Sequence, residues 1–281
     1  MAITVDKIAH GMTVSPDRLV LDKATITSQA AGTYVSLWRA TGQPGQGAIP
    51  STAAVCNNSL TGCFGITNQT DPVTGYLGYF EYASSNSAMT LEIHDRLMHM
   101  GGLSGTVTTA QTANVDLDAN LATDNLTNRI GASDYSDVQW WLEWYTATGS
   151  SAVTATVNVT YNDASTGNLT GASLSTTRPA SFMLSLNNLI PSASSGKYIQ
   201  DVNSVTLSAT TGTAGSFGIT ATRLRGTVFA PIANAKFGSN WADLPISEVP
   251  NYACLFPVVL TSTTSSGTAR GGGKVIHVDP T

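Results

Sequence analysis

The sequence predicts a mainly β protein, an antiparallel β-sandwich of jelly-roll type with extended N- and C-terminal segments. Three observations predict it. Val138, Trp140, Leu142 and Trp144 alternate with Gln139, Trp141, Glu143 and Tyr145, and Val153, Ala155, Val157, Val159 and Tyr161 alternate with Thr154, Thr156, Asn158 and Thr160, the period of two that a pleated strand imposes. Charged residues make up only 11% of the chain, so solvation falls to the hydroxyls and amides of Thr, Ser and Asn, which favour strands and turns over surface helices. Further strand-like runs recur at sandwich-like intervals, separated by Gly, Pro and Asn, with no repeat of solenoid or propeller length.

Residues 1–33 have weak periodicity and read as an extended arm. Tyr34 to Thr41 is a strand candidate, ended by Gly42, Pro44, Gly45, Gly47 and Pro50, a string that forms a shaped loop. Tyr76 to Tyr82 and Met89 to His94 read as an antiparallel pair across the break Ala83 to Ser87. Asp95 to Met100 reads as a single helical or 3₁₀ turn before Gly101-Gly102, and Thr106 to Thr112 as another strand. Residues 113–136 are polar and Asp/Asn-rich, the best boundary in the chain.

Asp137 to Tyr161 reads as one hairpin with Ala147 to Ser151 as its loop. A helix over Trp140, Trp141 and Trp144 is disfavoured by the β-branched, Thr-rich return arm. On this reading Trp140 faces the core, whereas Trp141 and Tyr145 lie on the opposite face, where they could bind a sugar or a partner protein but where packing against a second sheet or another subunit explains them with less assumption. Ser181 to Leu186, Val202 to Ala209 and Phe217 to Phe229 follow as strands, the last with a bulge-like phase change near Arg223. Pro257 places the run Cys254 to Leu260 at a sheet edge. Lys274 to Asp279 adds a short strand after a Gly271-Gly272-Gly273 hinge. The expected parts are therefore an arm over 1–33, a β-rich part with the Gly/Pro loop over 34–128, a sandwich core over 129–230, and a connection with a C-terminal strand or arm over 231–281. In the C-terminal arm Val275, Ile276 and Val278 would add to a neighbour's sheet edge.

With 281 residues, 13 basic and 18 acidic side chains and a net charge of −5, the chain has no basic stretch suited to a nucleic-acid partner. It also lacks an apolar stretch of membrane-spanning length. Asp6 and Lys7 interrupt Met1 to Thr13 where a signal peptide would be apolar, so the expected compartment is a cytoplasm. Cys56 and Cys63 are spaced to close a small loop, but reduced thiols are the expectation there.

No constellation combines the residue types of a catalytic or metal site with the required spacing. Asp116-x-Asp118-x-Asn120, with Asp124 beyond, has calcium-like alternation, yet Leu121 and Thr127 stand where a calcium loop needs its glycine and its bidentate acid. His94, Asp95 and His99 lack a third ligand, and Asp95 reads as a structural partner of Arg96 or a cap. Gly102-Leu103-Ser104-Gly105-Thr106 is half a nucleophile elbow. Glu81, Glu92 and Glu143 do not form a recognisable glycosidase pair. Gly271-Gly272-Gly273-Lys274 lacks the spacing of a phosphate loop. Catalytic, cofactor-binding and metal-binding residues are therefore all expected to be absent.

Leu37-Trp38-Arg39-Ala40-Thr41-Gly42, followed by Pro44, Gly45, Gly47, Ala48 and Pro50, resembles a motif of structural proteins in tailed-bacteriophage virions. The resemblance continues in Asp95-Arg96-Leu97 with Gly101-Gly102-Leu103-Ser104 and Thr108-Thr109-Ala110-Gln111-Thr112, and again in Asn251 with Ala253-Cys254-Leu255-Phe256-Pro257. It implies a non-enzymatic virion component assembled in the host cytoplasm. The expected role is a capsid decoration or cement protein, oligomeric, with the major capsid protein and copies of itself as partners. A tail or neck component is the alternative within that class, and a receptor- or glycan-binding adhesin the alternative outside it.

Overall fold

Stretches of period two form strands throughout the chain, but the partner of a strand is seldom its neighbour in sequence. In the computed structural model, residues 3–14, 16–24, 30–174, 177–242, 247–262 and 267–279 are described. Parts of the expected terminal segments, at 1–2, 15, 25–29, 243–246, 263–266 and 280–281, lie outside them. Among the described residues the strands are β1 Asp17–Lys23, β2 Tyr34–Ser36, β3 Gly42–Gln43, β4 Ala54–Val55, β5 Thr74–Ser84, β6 Met89–Leu103, β7 Gln111–Asp116, β8 Gln139–Thr146 and β9 Thr154–Tyr161. They continue with β10 Thr166–Ser173, β11 Phe182–Ser185, β12 Ile199–Leu207, β13 Ser216–Ala230, β14 Phe237–Asn240, β15 Glu248–Val249, β16 Leu255–Leu260 and β17 Ala269–Val278. Two short helices accompany them, α1 Val5–Thr13 and α2 Leu126–Arg129. The mainly antiparallel, sandwich-like architecture is the one expected.

The chain makes two compact units that interleave in sequence. Met1–Ala48, Asn57–Asp95 and Leu224–Thr281 form the first, and Ile49–Cys56 with Arg96–Arg223 the second. Divisions at 33/34, 128/129 and 230/231 are therefore not where the chain parts. Residues 113–136, expected as a boundary, lie inside the second unit. The phase change at Arg223 falls where β13 passes from the second unit to the first.

In the first unit a sheet runs β14-β5-β17-β1-β3, with β15 also on β5. Leu19, Leu21, Leu77, Phe80 and Tyr82 from this sheet share one apolar core with Val35, Leu91, Ile93, Leu255 and Val259. The latter come from β2, the first half of β6 and β16, with β16 pairing both β2 and β6. The C-terminal segment is extended, as expected, whereas the N-terminal one, expected to be extended, holds helix α1 at Val5–Thr13 before β1, and neither β1 nor β17 is an arm for a neighbour. β1 pairs β17 over Asp17↔Val275 to Lys23↔Ala269, and β17 pairs β5 on its other side. The three glycines read as a hinge sit in mid-strand. A Cβ at Gly272 would stand 2.6 Å from the Leu19 carbonyl oxygen, and one at Gly273 2.5 Å from the Phe80 ring, so absence of a side chain serves close backbone approach rather than swing. Helix α1, capped by the Thr4 hydroxyl accepting from Lys7 N, lays Ile8 and Met12 on Ile276 and Val278 of the same sheet.

Pro257 is in the interior strand of its three, contrary to the edge expected. β2 pairs β16 only from Val258↔Ser36 onward, so no ladder donor is needed from residue 257 on that side. Its carbonyl is used by Leu37 N at 3.0 Å.

In the second unit the sheet β10-β9-β12-β7 faces strands β11-β8-β13, and β13 also pairs β6. Trp140, Leu142 and Trp144 meet Val153, Val157 and Val159 in one core. Strands β8 and β9 are thus not a hairpin. β8 pairs β11 and β13, whereas β9 pairs β10 and β12, and the Gly149 segment carries the chain between sheets. The pair expected from 76–82 and 89–94 departs from expectation in the same way, because β5 belongs to one sheet and β6 to the other. Alternation and a small-residue turn specify two strands reversing direction, which suits an arch across a core about 10 Å thick as well as a hairpin. Asp95 to Met100, read as a turn, simply continues β6.

Both faces of β8 are buried. Trp140 donates from Nε1 to Ile199 O at 2.8 Å, and Trp144 stacks on Phe217 at 5.6 Å between centroids. Trp141 is only 3% exposed and donates from Nε1 to Thr222 Oγ1 at 2.9 Å, so it is packed inside the protein and is not an exposed aromatic offered to a sugar or partner. Trp140→Ala and Trp141→Ala are each expected to destabilise the protein by about 3–5 kcal/mol. Urea unfolding checks this; a loss at Trp140 alone would mean that only one face of β8 is structurally required.

Candidate functional site

The residues singled out for chemistry are mostly interior. Along β6, His94, Asp95, Arg96 and His99 are each engaged by other residues of the fold. His94 Nε2 lies 2.8 Å from Glu92 Oε2. Asp95 accepts from Cys254 N at 2.9 Å and from Arg225 at 3.2 Å, and Arg225 also donates to Glu248 O at 2.9 Å. Asp95 does not pair with Arg96 as expected, because neighbours on a strand cannot face each other.

Arg96 instead pairs with Glu143, and donates to His99 Nδ1 at 3.0 Å, Tyr145 Oη at 3.1 Å and Thr220 Oγ1 at 3.2 Å. Thr220 donates to Glu143 Oε2 at 2.5 Å. Burial disfavours the Arg96 charge, but the Glu143 carboxylate outweighs it and holds the guanidinium protonated, while burial and Glu143 together push the Tyr145 phenol up. Tyr145 is therefore a buried network member, not an exposed aromatic. Arg129, also buried, donates to Cys56 O at 2.6 Å and Arg96 O at 2.8 Å. Such a web fixes register and leaves its groups unavailable to a substrate.

The remaining candidates resolve similarly. Ser104 Oγ lies 2.9 Å from Thr106 Oγ1 and accepts from Thr106 N at 3.3 Å, an ordinary turn after β6. Asp116 caps Ala119 N at 2.8 Å, and Tyr135 donates to Asp118 at 3.3 Å. Among the described residues no group of three His, Cys, Asp or Glu side chains is arranged to hold a metal ion. Cys56, Cys63 and Cys254 are buried and not joined in disulfides. Sequence reasoning missed Asp201, whose carboxylate accepts from Leu117 N at 2.9 Å and Asp118 N at 3.4 Å. Burial first, then the Asp116 charge, push its pKa up to about 7. No local signal could reveal this, since β12 meets residues 116–118 only through the fold.

Of the three blocks that carry the resemblance, the first up to Ala48 and the third, with Asp95 of the second, lie in the first unit, whereas Pro50 and the rest of the second block, from Arg96 on, lie in the second. The Trp38 indole is fully buried, lies edge-on to Phe256 at 6.0 Å, and donates from Nε1 to Ala48 O at 2.8 Å. Gly47 and Gly62 abut its ring so closely that a Cβ at either would enter it. Arg39 donates to Gly47 O and Gln46 to Arg39 O, closing the Gly/Pro loop. Buried Lys23 ties the same loop through Ala40 O at 2.9 Å and Gly45 O at 3.2 Å, and burial lowers its pKa to about 8.

What the first unit presents outward is different in character. Over Gly271, Gly272 and Gly273 lies a groove of about 450 Å³ flanked by Arg18, Val20, Tyr79, Glu81 and Lys274. Glu81 is already held by Tyr79 and Lys236. Phe229 and Ile232 are exposed at 53% and 62%.

No protein family matches the chain, and no curated protein matches it. Among solved structures, the chain aligns with the VP2 subviral particle of infectious bursal disease virus at 10% identity. That alignment covers 99% of this chain and 88% of that one, with a TM-score of 0.18. A point mutant of the same VP2 in derived T=1 particles aligns at 9% identity over 95% and 80%, with a TM-score of 0.15. At such scores the likeness carries no argument about fold or function.

Two outcomes test the assignments made from geometry. Arg96→Met strands a buried carboxylate and is expected to cost about 3–5 kcal/mol, with Arg96→Met/Glu143→Leu recovering much of it; a double variant no better than the single would show that the pair is not the centre of the network. For Asp201, the folded pKa lies above the unfolded value of about 3.9, so its proton favours the folded state. This contribution is full below about pH 4 and fades as the pH rises to about 7. Asp201→Asn should therefore be the more stable protein at pH 8, by on the order of 2–4 kcal/mol, and should lose that advantage towards pH 4. Denaturation curves at both pH values decide it.

Proposed function

We propose that the protein is a structural component of a tailed-phage virion, a capsid decoration or cement protein that stabilises the head by burying surface across neighbouring subunits. One observation carries the reading. Trp38 and its Gly/Pro loop, Asp95, and the Ala253 to Pro257 segment are more than 200 residues apart at their extremes, yet they form one packed framework: Trp38 on Phe256, Leu37 bonded to Pro257, and Cys254 bonded to Asp95. These members of the resemblance are bonded to one another, the kind of likeness a shared scaffold leaves, whereas a shared catalytic site would leave its residues around a cleft; Thr108 to Ala110 of the second block are exposed in the second unit.

The use of buried charge points the same way. His94, Asp95, His99 and Glu143, the groups best suited to acid–base work, are held in internal pairs, and the surface offers apolar side chains such as Phe229 and Ile232 for contact instead. In this role the major capsid protein and further copies of this chain are the partners. Capsid proteins resist heat better when junctions between them are covered, since bound protein stabilises the assembled state by mass action.

The test is the copy number in purified particles, measured by quantitative mass spectrometry, together with the melting of heads with and without the protein. Abundance on the scale of the major capsid protein and a raised head-melting temperature are expected. A few copies confined to the tail fraction would transfer the protein to the tail or neck. Its absence from particles, with binding to host glycans, would favour an adhesin.

A further inference from the structure

Strand β1 is the outer long strand of its sheet, and only its end is covered. β3 pairs with it at Asp22↔Gln43 and Lys23↔Gly42, and Ala24 N donates to Thr41 O at 3.0 Å. That bond sets the parity of the edge: residues 24, 22, 20 and 18 turn N–H and C=O away from β17. At the opposite end Thr67 closes on Asp17, its N 2.6 Å from Oδ2 and its Oγ1 2.8 Å from Oδ1. Between these closures the backbone groups of Arg18 and Val20 face a cleft of about 510 Å³, with Asn58 to Gly65 along its far side. Among the described residues they make no hydrogen bond across it.

Exposed edges are commonly blunted by charge. Here the charges of β1 are already engaged. Asp17 is held by Thr67 and His277, Asp22 lies 3.1 Å from Arg270, and the Lys23 side chain is buried on two carbonyls. Arg18 alone points outward without an ion pair among the described residues, and its neighbour on that face, Val20, is 47% exposed. Leu19 faces inward, and Leu60 and Phe64 also line the cleft.

We propose that the β1 edge binds an extended segment of a neighbouring polypeptide, which adds to the sheet as a further strand with an acidic residue opposite Arg18 and an apolar residue opposite Leu19. The groups offered are backbone donors and acceptors at strand spacing, which recognise a polypeptide main chain rather than a small solute. Asp17 to Asp22 is five residue steps, about 17 Å, so the segment is about four residues long. That the neighbour belongs to a phage particle rests on the function proposed above; the strand addition itself does not.

Hydrogen exchange on the full chain reads both. In the free protein the amides of Arg18 and Val20 should exchange rapidly beside slow amides at Leu19 and Leu21, and both should slow when the protein is bound to particles. The soluble probe is a capped peptide, Thr-Thr-Val-Thr-Leu-Asp-Thr, which in antiparallel register sets Asp opposite Arg18 and Leu opposite Leu19 and should slow the same two amides. Val20→Pro removes a donor that no internal bond uses, and Arg18→Glu reverses the outward charge. Each should keep the wild-type melting temperature and bind particles and peptide at least about tenfold more weakly; if Val20→Pro fails to fold, Arg18→Glu still decides. Peptide protection without particle binding would remove the particle reading and leave strand addition standing. Slow Arg18 and Val20 amides in the free chain, no protection by either partner, or undiminished binding by the folded variants would overturn the proposal.

Discussion

The buried pair of Arg96 and Glu143 is the constraint around which the second unit is built. Removing both ions from water costs several kcal/mol each, and their attraction compensates only when every remaining donor and acceptor is also met. His99, Tyr145 and Thr220 supply those partners. They come from β6, β8 and β13, so the network can be satisfied in one register alone; a slip of one residue would turn Glu143 to the opposite face and leave both charges stranded. The same logic holds in the first unit, where Asp95 bridges Arg225 and the Cys254 amide. A chain with few charges has therefore placed a notable share of them inside, where they specify register.

The second device is close approach. Gly47 and Gly62 let backbone lie against the Trp38 ring, and Gly272 and Gly273 let β17 crowd its neighbours on both sides. Glycine loses more entropy on folding than any other residue, which is tolerable in these places because a bulky aromatic core and a two-sided hydrogen-bond ladder surround them. The consequence for surface chemistry is a shallow groove with a backbone floor, and a sheet whose last long strand keeps part of its ladder unfilled. Main-chain groups and scattered apolar side chains are what this sheet exposes.

Asp95 to Met100, read as a turn, and β10, which was not anticipated, were not readable as strand, but much of the strand content was, because period-two alternation is a local property. The Trp140 face of β8, the Val153 to Tyr161 strand and the strand after the glycine triplet all follow from it. The residues suited to chemistry were also readable as types; Ser104 sits in a turn, and Asp116 ends β7 and accepts from Ala119 N. Their partners were not readable. Glu143 and Tyr145 look like solvent-facing residues until Arg96 and Thr220 are brought against them, and Asp201 gives no sign in sequence that it meets residues 116–118.

By itself, then, the sequence determined that this is an antiparallel β protein with little charge, a shaped Gly/Pro loop after Trp38 and no metal-loop or nucleophile-elbow spacing, since each depends on residues within a few positions of one another. Tertiary structure alone decided which strands pair, that the units interleave along the chain, that β1 and β17 are internal partners rather than arms, and that both faces of β8 are buried. The physical reason is that alternation fixes which side chains share a face, whereas a hairpin and an arch present the same alternation and the same turn. The choice between them is made by which apolar faces meet across a core and by which buried charges find each other, and those contacts join residues that are far apart in the chain.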